Sequence, residues 1–289
     1  MKARQTRNIE RGFGDWVRAR LPLGLAELVM FILKQGWAAL FGGAMLAGII
    51  GSKAIWQENW VISRYDALVV YGLSIQVAFL WFRLESWREA RVILLFHLTG
   101  TIMEVFKINA GSWAYPEPGL LKVMGVPLFS GFMYASVGSY MARVIRIFDM
   151  RFDPYPKFWL ASLLAVAIYL NFFSHHFIPD MRMILFAATL ALFWRTRIWF
   201  TLGRRYWMPL PLAALLTSFF LWIAENVGTQ TGTWVYAGQG VLNWVSFAKL
   251  GSWYLLLYVS FATVTLVYRD ALGPAKESPA NAGQQPLKR

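Results

Sequence analysis

The sequence predicts an all-α fold: a polytopic helical membrane protein of about eight transmembrane helices, arranged as two parallel four-helix repeats. Three observations carry this expectation. The 289 residues are 57% hydrophobic and only 15% charged, whereas ordinary soluble domains are about 25% charged, and the mean hydropathy is +0.45. Apolar runs recur at about the 20 residues that a helix needs to cross a bilayer. The basic residues fall very unequally on the two sides of those runs.

The elements follow in order. The amino-terminal segment 1–35 carries Lys2, Arg4, Arg7, Arg11, Arg18 and Arg20. No short apolar run with a small-residue cleavage site follows it closely, so the first helix is expected to stay as an internal signal. Residues 22–34 are apolar but contain Glu27 and Lys34; they are expected to lie in the membrane interface or to extend the first helix. The first repeat, 36–149, holds spans near 36–54, 66–82, 91–109 and 124–147. The second, 157–270, holds spans near 157–174, 182–203, 208–227 and 247–268. The tail 271–289 is polar and rich in Pro and Gly, a composition expected to be disordered.

With the amino terminus inside and one crossing per span, only Lys53, Arg64, Lys107, Lys122, Arg182 and Lys249 of the 28 basic residues lie outside. That split predicts a cytoplasmic position for both termini. It also accounts for the net charge of +13 without a nucleic-acid partner, so membrane lipids are the expected surroundings. The 15 Trp, 12 Tyr and 22 Phe suit aromatic belts at the two interfaces. With no cysteine, the chain has no disulfide, thiolate metal site or cysteine nucleophile. No phosphate-cradling loop or nucleophile elbow is present.

An offset of 121 residues aligns two segments without a gap. Glu104-x6-Gly111-Ser112-Trp113-x-Tyr115 matches Glu225-x6-Gly232-Thr233-Trp234-x-Tyr236. The same offset pairs Arg83 with Arg204, Gly119 with Gly240, Leu121 with Leu242, Ser139 with Ser260 and Asp149 with Asp270. An even number of helices per repeat keeps the orientation, and sites often form where such repeats meet.

The candidate catalytic residues are Glu104, Glu225 and His97. A carboxylate at bilayer depth costs on the order of 2.5–3.5 kcal/mol even on insertion scales, so each Glu must face the interior, find a partner or stay protonated. The structural alternative is an ion pair, for example Glu104 with Lys107 one turn on. His97, Thr101 and Glu104 share one helix face; a satisfied core histidine is the plain reading of His97. Trp113, Tyr115, Trp234 and Tyr236, with Asn226 and Lys107, are the candidate substrate-binding residues. An interfacial belt explains the aromatics, but not their fixed distance from a membrane acid. Aromatic faces attract cations, so the sharper expectation is an aromatic-walled pocket above two acids. His175, His176 and Asp180 are the candidate metal ligands, since imidazole and carboxylate suit zinc or iron; their spacing matches no firm ligand motif, so no metal is assigned. Gly131, Ala135 and Gly138 are expected to serve close helix packing.

Four segments carry a family resemblance: 96–117 (FHLTGTIMEVFKINAGSWAYPE), 125–144 (GVPLFSGFMYASVGSYMARV), 168–182 (IYLNFFSHHFIPDMR) and 219–236 (FFLWIAENVGTQTGTWVY). They resemble the YoaT-like bacterial integral membrane proteins, a family of unknown function, over about residues 25–270. The resemblance implies a multi-pass protein of the bacterial inner membrane and carries no catalytic residues over. Glu104, Gly111 to Tyr115 and Gly125-Val126-Pro127 are also similar to a stretch of membrane carotenoid hydratases and lycopene cyclases. The reading that follows is an intramembrane enzyme acting on a lipophilic, isoprenoid- or carotenoid-like small molecule by Glu acid–base chemistry. A proton-coupled small-molecule transporter or membrane binding protein is the alternative, and uptake that ignored a pH gradient would exclude proton coupling.

Overall fold

The computed structural model describes residue 17 and residues 19–57, 59–238 and 243–273. Most of the basic amino-terminal segment, Gly240 and Leu242 of the internal match, and nearly all of the expected disordered tail lie outside these residues. The described chain is mostly helical: α1 (Leu23–Ala38), α2 (Leu40–Ile55), α3 (Arg64–Trp81), α4 (Trp87–Asn109), α5 (Phe129–Ile147), α6 (Phe158–Ser174), α7 (Arg182–Phe193), α8 (Leu210–Gln230) and α9 (Phe247–Val267). Short strands join them: β1 (Trp113–Ala114), β2 (Lys122–Val123), β3 (Val126–Pro127), β4 (Arg151–Asp153), β5 (Arg197–Thr201), β6 (Arg205–Pro209) and β7 (Val235–Tyr236). The fold is therefore not purely α.

Among the described residues, α4, α8 and α9 are long and apolar enough to cross a membrane, and a fourth span arises if the bent pair α1–α2 is counted as one. Their outer faces carry exposed apolar side chains such as Leu94, Leu98, Ile102, Leu216 and Phe220, where a soluble helix would place polar ones.

Three expected boundaries are corrected. The run 36–54 is not one straight helix, because α1 and α2 meet at Ala39 with a 66° bend. The run 124–147 begins as a helix only at Phe129. Residues 122–127 form a hairpin instead, with Met124 and Gly125 at φ +50° and +86°, the two-residue turn that matches strand twist. The run 182–203 stops being helical at Phe193. Residues 197–201 (RIWFT) alternate, burying Ile198 and Phe200 and exposing Arg197 and Thr201. A period of two fits a strand rather than a helix, and β5 pairs with β4 and β6.

Helix α5 is central, packing along α4 and touching α1, α2, α3 and α9. Glycines make the close approach to α4 possible: a Cβ on Gly131 would sit 2.5 Å from the His97 ring, and one on Gly138 2.7 Å from Phe96. The main core joins Phe96, Ile168, Leu185, Leu210, Tyr258 and Phe261 from α4 and α6 to α9.

Helix α4 starts on a capping box, with Ser86 and Glu89 each accepting the other's backbone N–H. At that end Glu89 pairs with Arg146 at 2.7 Å and Glu85 accepts from Ser139 at 2.6 Å, which ties the α3–α4 turn to α5. At its other end α4 stops at Gly111, φ +68°. Ser112 N–H returns to the Lys107 carbonyl and Gly111 N–H to that of Ile108, the Schellman arrangement. Helix α8 ends in the same way: Gly232 has φ +65°, Thr233 N–H bonds to the Gly228 carbonyl and Gly232 N–H to that of Thr229. The two turns then meet, as β1 pairs with β7 in the register Trp113↔Tyr236 and Ala114↔Val235.

Candidate functional site

The two helix stops launch two aromatic turns, and each turn folds back over the acid of its own helix. Trp113 Nε1 donates to Glu104 Oε2 at 2.7 Å and the Tyr115 hydroxyl to the same oxygen at 3.1 Å. Trp234 Nε1 donates to Glu225 Oε1 at 2.8 Å and the Tyr236 hydroxyl to that oxygen at 2.5 Å. Offsets of nine and eleven residues thus have the same geometric result twice. A third donor arrives from the next helix in each case: the Tyr134 hydroxyl of α5 reaches Glu104 Oε1 at 2.7 Å, and Trp253 Nε1 of α9 reaches Glu225 Oε2 at 3.1 Å.

Both acids are buried, with 3% and 6% of their surface exposed. Each carboxyl group has about four acceptor positions, and three are filled by neutral aromatic donors. Three hydrogen bonds to each group hold the two carboxyl groups in fixed orientations. Tyr115 and Tyr236 stay protonated donors, because burial first, and then the facing carboxylates, push both phenols well above their ordinary range.

The cradles are connected. The Trp113 and Tyr236 rings meet edge to face at 5.8 Å, and Tyr134 and Trp253 lie 6.5 Å apart. Glu104, Glu225 and all six donors line a single cavity of about 400 Å³, within the range of small-molecule sites. Ile168, Leu221 and Leu255 form part of its wall. A second, smaller crevice lies on the other side of Tyr134, Val137, Trp253 and Leu256, which line both, and is lined also by Phe96, Gly100 and the exposed Thr99.

The amino-terminal turn of α3 holds the two aromatic turns in place. Arg64 forms a two-pronged pair with Glu117, at 2.8 and 2.7 Å, and its Nη2 reaches Thr233 at 3.3 Å. Tyr65 donates to the Thr233 carbonyl at 2.7 Å, and Asp66 accepts the backbone N–H groups of Leu120 and Leu121.

The remaining expected site residues divide. Lys107 lines the cavity, but its ammonium bonds His176 Nε2 at 3.0 Å and lies 4.0 Å from the Phe172 ring centre. Among the described residues it makes no ion pair with Glu104, so the simple structural alternative for that acid does not hold. His97 does not line the cavity; its ring packs on Gly131 and on Phe132 at 4.8 Å. Asn226 is buried and acts as a backbone clamp, accepting Val245 N–H at 2.8 Å and donating to the Trp222 carbonyl.

His175 and His176 line the cavity rim. Asp180 is taken up by Asn171, by the Arg182 backbone and by the Arg182 side chain at 2.9 Å. Among the described residues, no three His or carboxylate groups converge as a metal site would require. Burial, and then the Lys107 ammonium, hold His176 below the ordinary imidazole range, so its neutral Nε2 accepts from Lys107. Sequence reasoning named neither Tyr134 nor Trp253 as a site residue. The available signal for Trp253 was Lys249 and Trp253 one turn apart in the first turns of the last helix.

Residues 27–261 match the family described as Protein of unknown function (DUF817). The Uncharacterized protein YoaT of Bacillus subtilis (strain 168) is 41% identical over 243 residues, covering 83% of this chain and 91% of that protein. No solved structure matches the chain.

Proposed function

The chain belongs to the DUF817 family of proteins of unknown function, and from that premise we propose that it is an intramembrane enzyme performing acid–base chemistry on a lipophilic substrate. The observation that carries this reading is the pair of oriented carboxyl groups in one largely apolar cavity. One glutamic acid gives its proton to a substrate alkene, forming a carbon–hydrogen bond and a carbocation. The other, as carboxylate, removes a proton from a neighbouring carbon, and the double bond re-forms one position along. The aromatic faces stabilise the intermediate cation, and the cradles spare the acids reorientation during the reaction. The isoprenoid character of the substrate rests on the resemblance of residues 104–127 to carotenoid-converting membrane enzymes.

The crevice reaching Thr99 favours an enzyme supplied sideways from lipid over a proton-coupled transporter, which needs water on alternate sides. His97, which packs against α5 and does not line the cavity, has no role in this reading. The reading also takes the chain as an eight-span protein of the bacterial inner membrane with both termini cytoplasmic. The charge split and the twin Schellman turns of the two repeats support it.

The test compares the lipid and pigment profiles of a deletion strain complemented with wild type, Glu104→Gln or Glu225→Gln. We expect the deletion to change the profile and neither variant to restore it. Full restoration by both variants refutes the acid–base mechanism.

A further inference from the structure

The cavity has two chemically different ends. Its floor holds the acids, whose acceptor positions are mostly filled. Its rim holds three cationic side chains from three helices: Lys107 of α4, Arg182 of α7 and Lys249 of α9. Ser112 and His176 complete it, with the serine hydroxyl 3.3 Å from His176 Nε2.

The rim side chains themselves are three cations beside one acid, and an acid of the floor, Glu225, also acts electrostatically on Lys249. The one acid beside the rim, Asp180, is engaged by Arg182 and Asn171. Lys249 lies 3.9 Å from the Tyr236 ring centre and 5.8 Å from that of Trp113, and takes part in no ion pair among the described residues. Lys107 is 2% exposed, and its ammonium, with three donors, meets a neutral imidazole and a phenyl face. Burying such a group away from a counter-charge is costly. Cations brought together at the mouth of an apolar cavity are the arrangement that recognises an anion.

We propose that the rim formed by Lys107, Lys249, Arg182, Ser112 and His176 binds the anionic head of an amphiphile, a phosphate or carboxylate, while its apolar chain enters the cavity below. This deepens the acid–base reading of the same cavity and rests on it for the cavity's role as a substrate site. The polar end anchors at the rim, and the chain passes Ile168, Leu221 and Leu255 to bring a carbon–carbon bond between the two acids. The crevice beyond Tyr134 and Trp253 takes the remaining apolar length.

The probes are dodecyl phosphate, dodecanol and inorganic phosphate, each titrated into the purified full-length protein in a non-ionic detergent. The fluorescence of Trp113, Trp234 and Trp253, which line the cavity, reports binding. Dodecyl phosphate is expected to bind at least about tenfold more tightly than either other probe. Lys107→Gln and, separately, Lys249→Gln weaken it by about tenfold or more, while Arg195→Gln at the opposite end leaves it unchanged. Arg182 and Lys249 are only half-buried, so Arg182→Gln, like Lys249→Gln, guards against misfolding of the buried Lys107 variant and is expected to weaken binding as well.

Equal binding of dodecanol, or wild-type affinity in the three rim variants, overturns the anionic head. Equal binding of inorganic phosphate assigns the rim to a free anion and overturns the amphiphile. Glu104→Gln and Glu225→Gln are expected to keep dodecyl phosphate affinity. If they do so and yet restore the lipid profile, the rim stands and the acid–base reading falls; if the rim variants bind normally while the Glu variants fail to restore it, the reverse holds.

Discussion

At the scale of single residues, the decisive feature is that each membrane acid has three neutral hydrogen-bond donors and no ion-pair partner among the described residues. This makes a sharp distinction between substitutions. Glu104→Gln keeps a carbonyl oxygen for Trp113, Tyr115 or Tyr134, whereas Glu104→Leu leaves all three donors unpaired in a buried site. An orphaned buried donor costs about 1–3 kcal/mol. Glu104→Leu is therefore expected to lower the thermal midpoint in detergent by several degrees more than Glu104→Gln, as read by intrinsic fluorescence. Equal midpoints would show that the cradle contributes nothing to folding. The Glu-to-aromatic spacing was legible in the sequence; the third donors, Tyr134 and Trp253, were not. They lie on neighbouring helices, 30 and 28 residues away, and no local pattern encodes which helix faces which.

At the scale of elements, close packing of an aromatic turn on its own helix positions the chemistry. The Trp234 ring lies directly over Gly228, where an added Cβ would fall 1.9 Å from it. Gly228→Ala must push the indole away from Glu225. Overpacking of this kind costs about 1–3 kcal/mol, and the variant should lose both stability and the Trp234 fluorescence response to a cavity ligand. Gly43→Ala is the control, because nothing lies within 4 Å of its added Cβ and helix propensity then favours alanine by about 0.5–1 kcal/mol. If Gly228→Ala behaved like Gly43→Ala, the ring position would not matter. The elements also mark where hydropathy misleads. Residues 197–201 and 122–127 extend apolar runs, yet their alternation and their positive-φ turn make strands. The bend at Ala39 has no Pro; Glu27 and Lys34 set residues 22–34 apart from the first span, but no local signal places the break at Ala39.

At the scale of the whole molecule, the two ends differ. One carries the basic β4–β5–β6 sheet, and the other carries the aromatic turns and the cavity. Because the chain contains no cysteine, single cysteines can map its orientation. Leu120→Cys, at the cavity end, should react with an impermeant maleimide in intact cells, and Trp194→Cys, at the sheet end, only after permeabilisation; both sites are well exposed, at 93% and 70%. The opposite pattern refutes the orientation read from charge, and labelling of both in intact cells refutes their placement on opposite sides. Composition and hydropathy by themselves determined a helical, membrane-type chain, since burying or exposing so many apolar groups leaves few other solutions, and the 121-residue offset singled out both acids with their aromatic partners. Only the tertiary structure decided that the two turns pair through β1 and β7, that the acids share one cavity, that His97 lies outside it, and that three distant cations form its rim. Those facts depend on contacts between residues far apart in the chain, which packing selects and local spacing does not record.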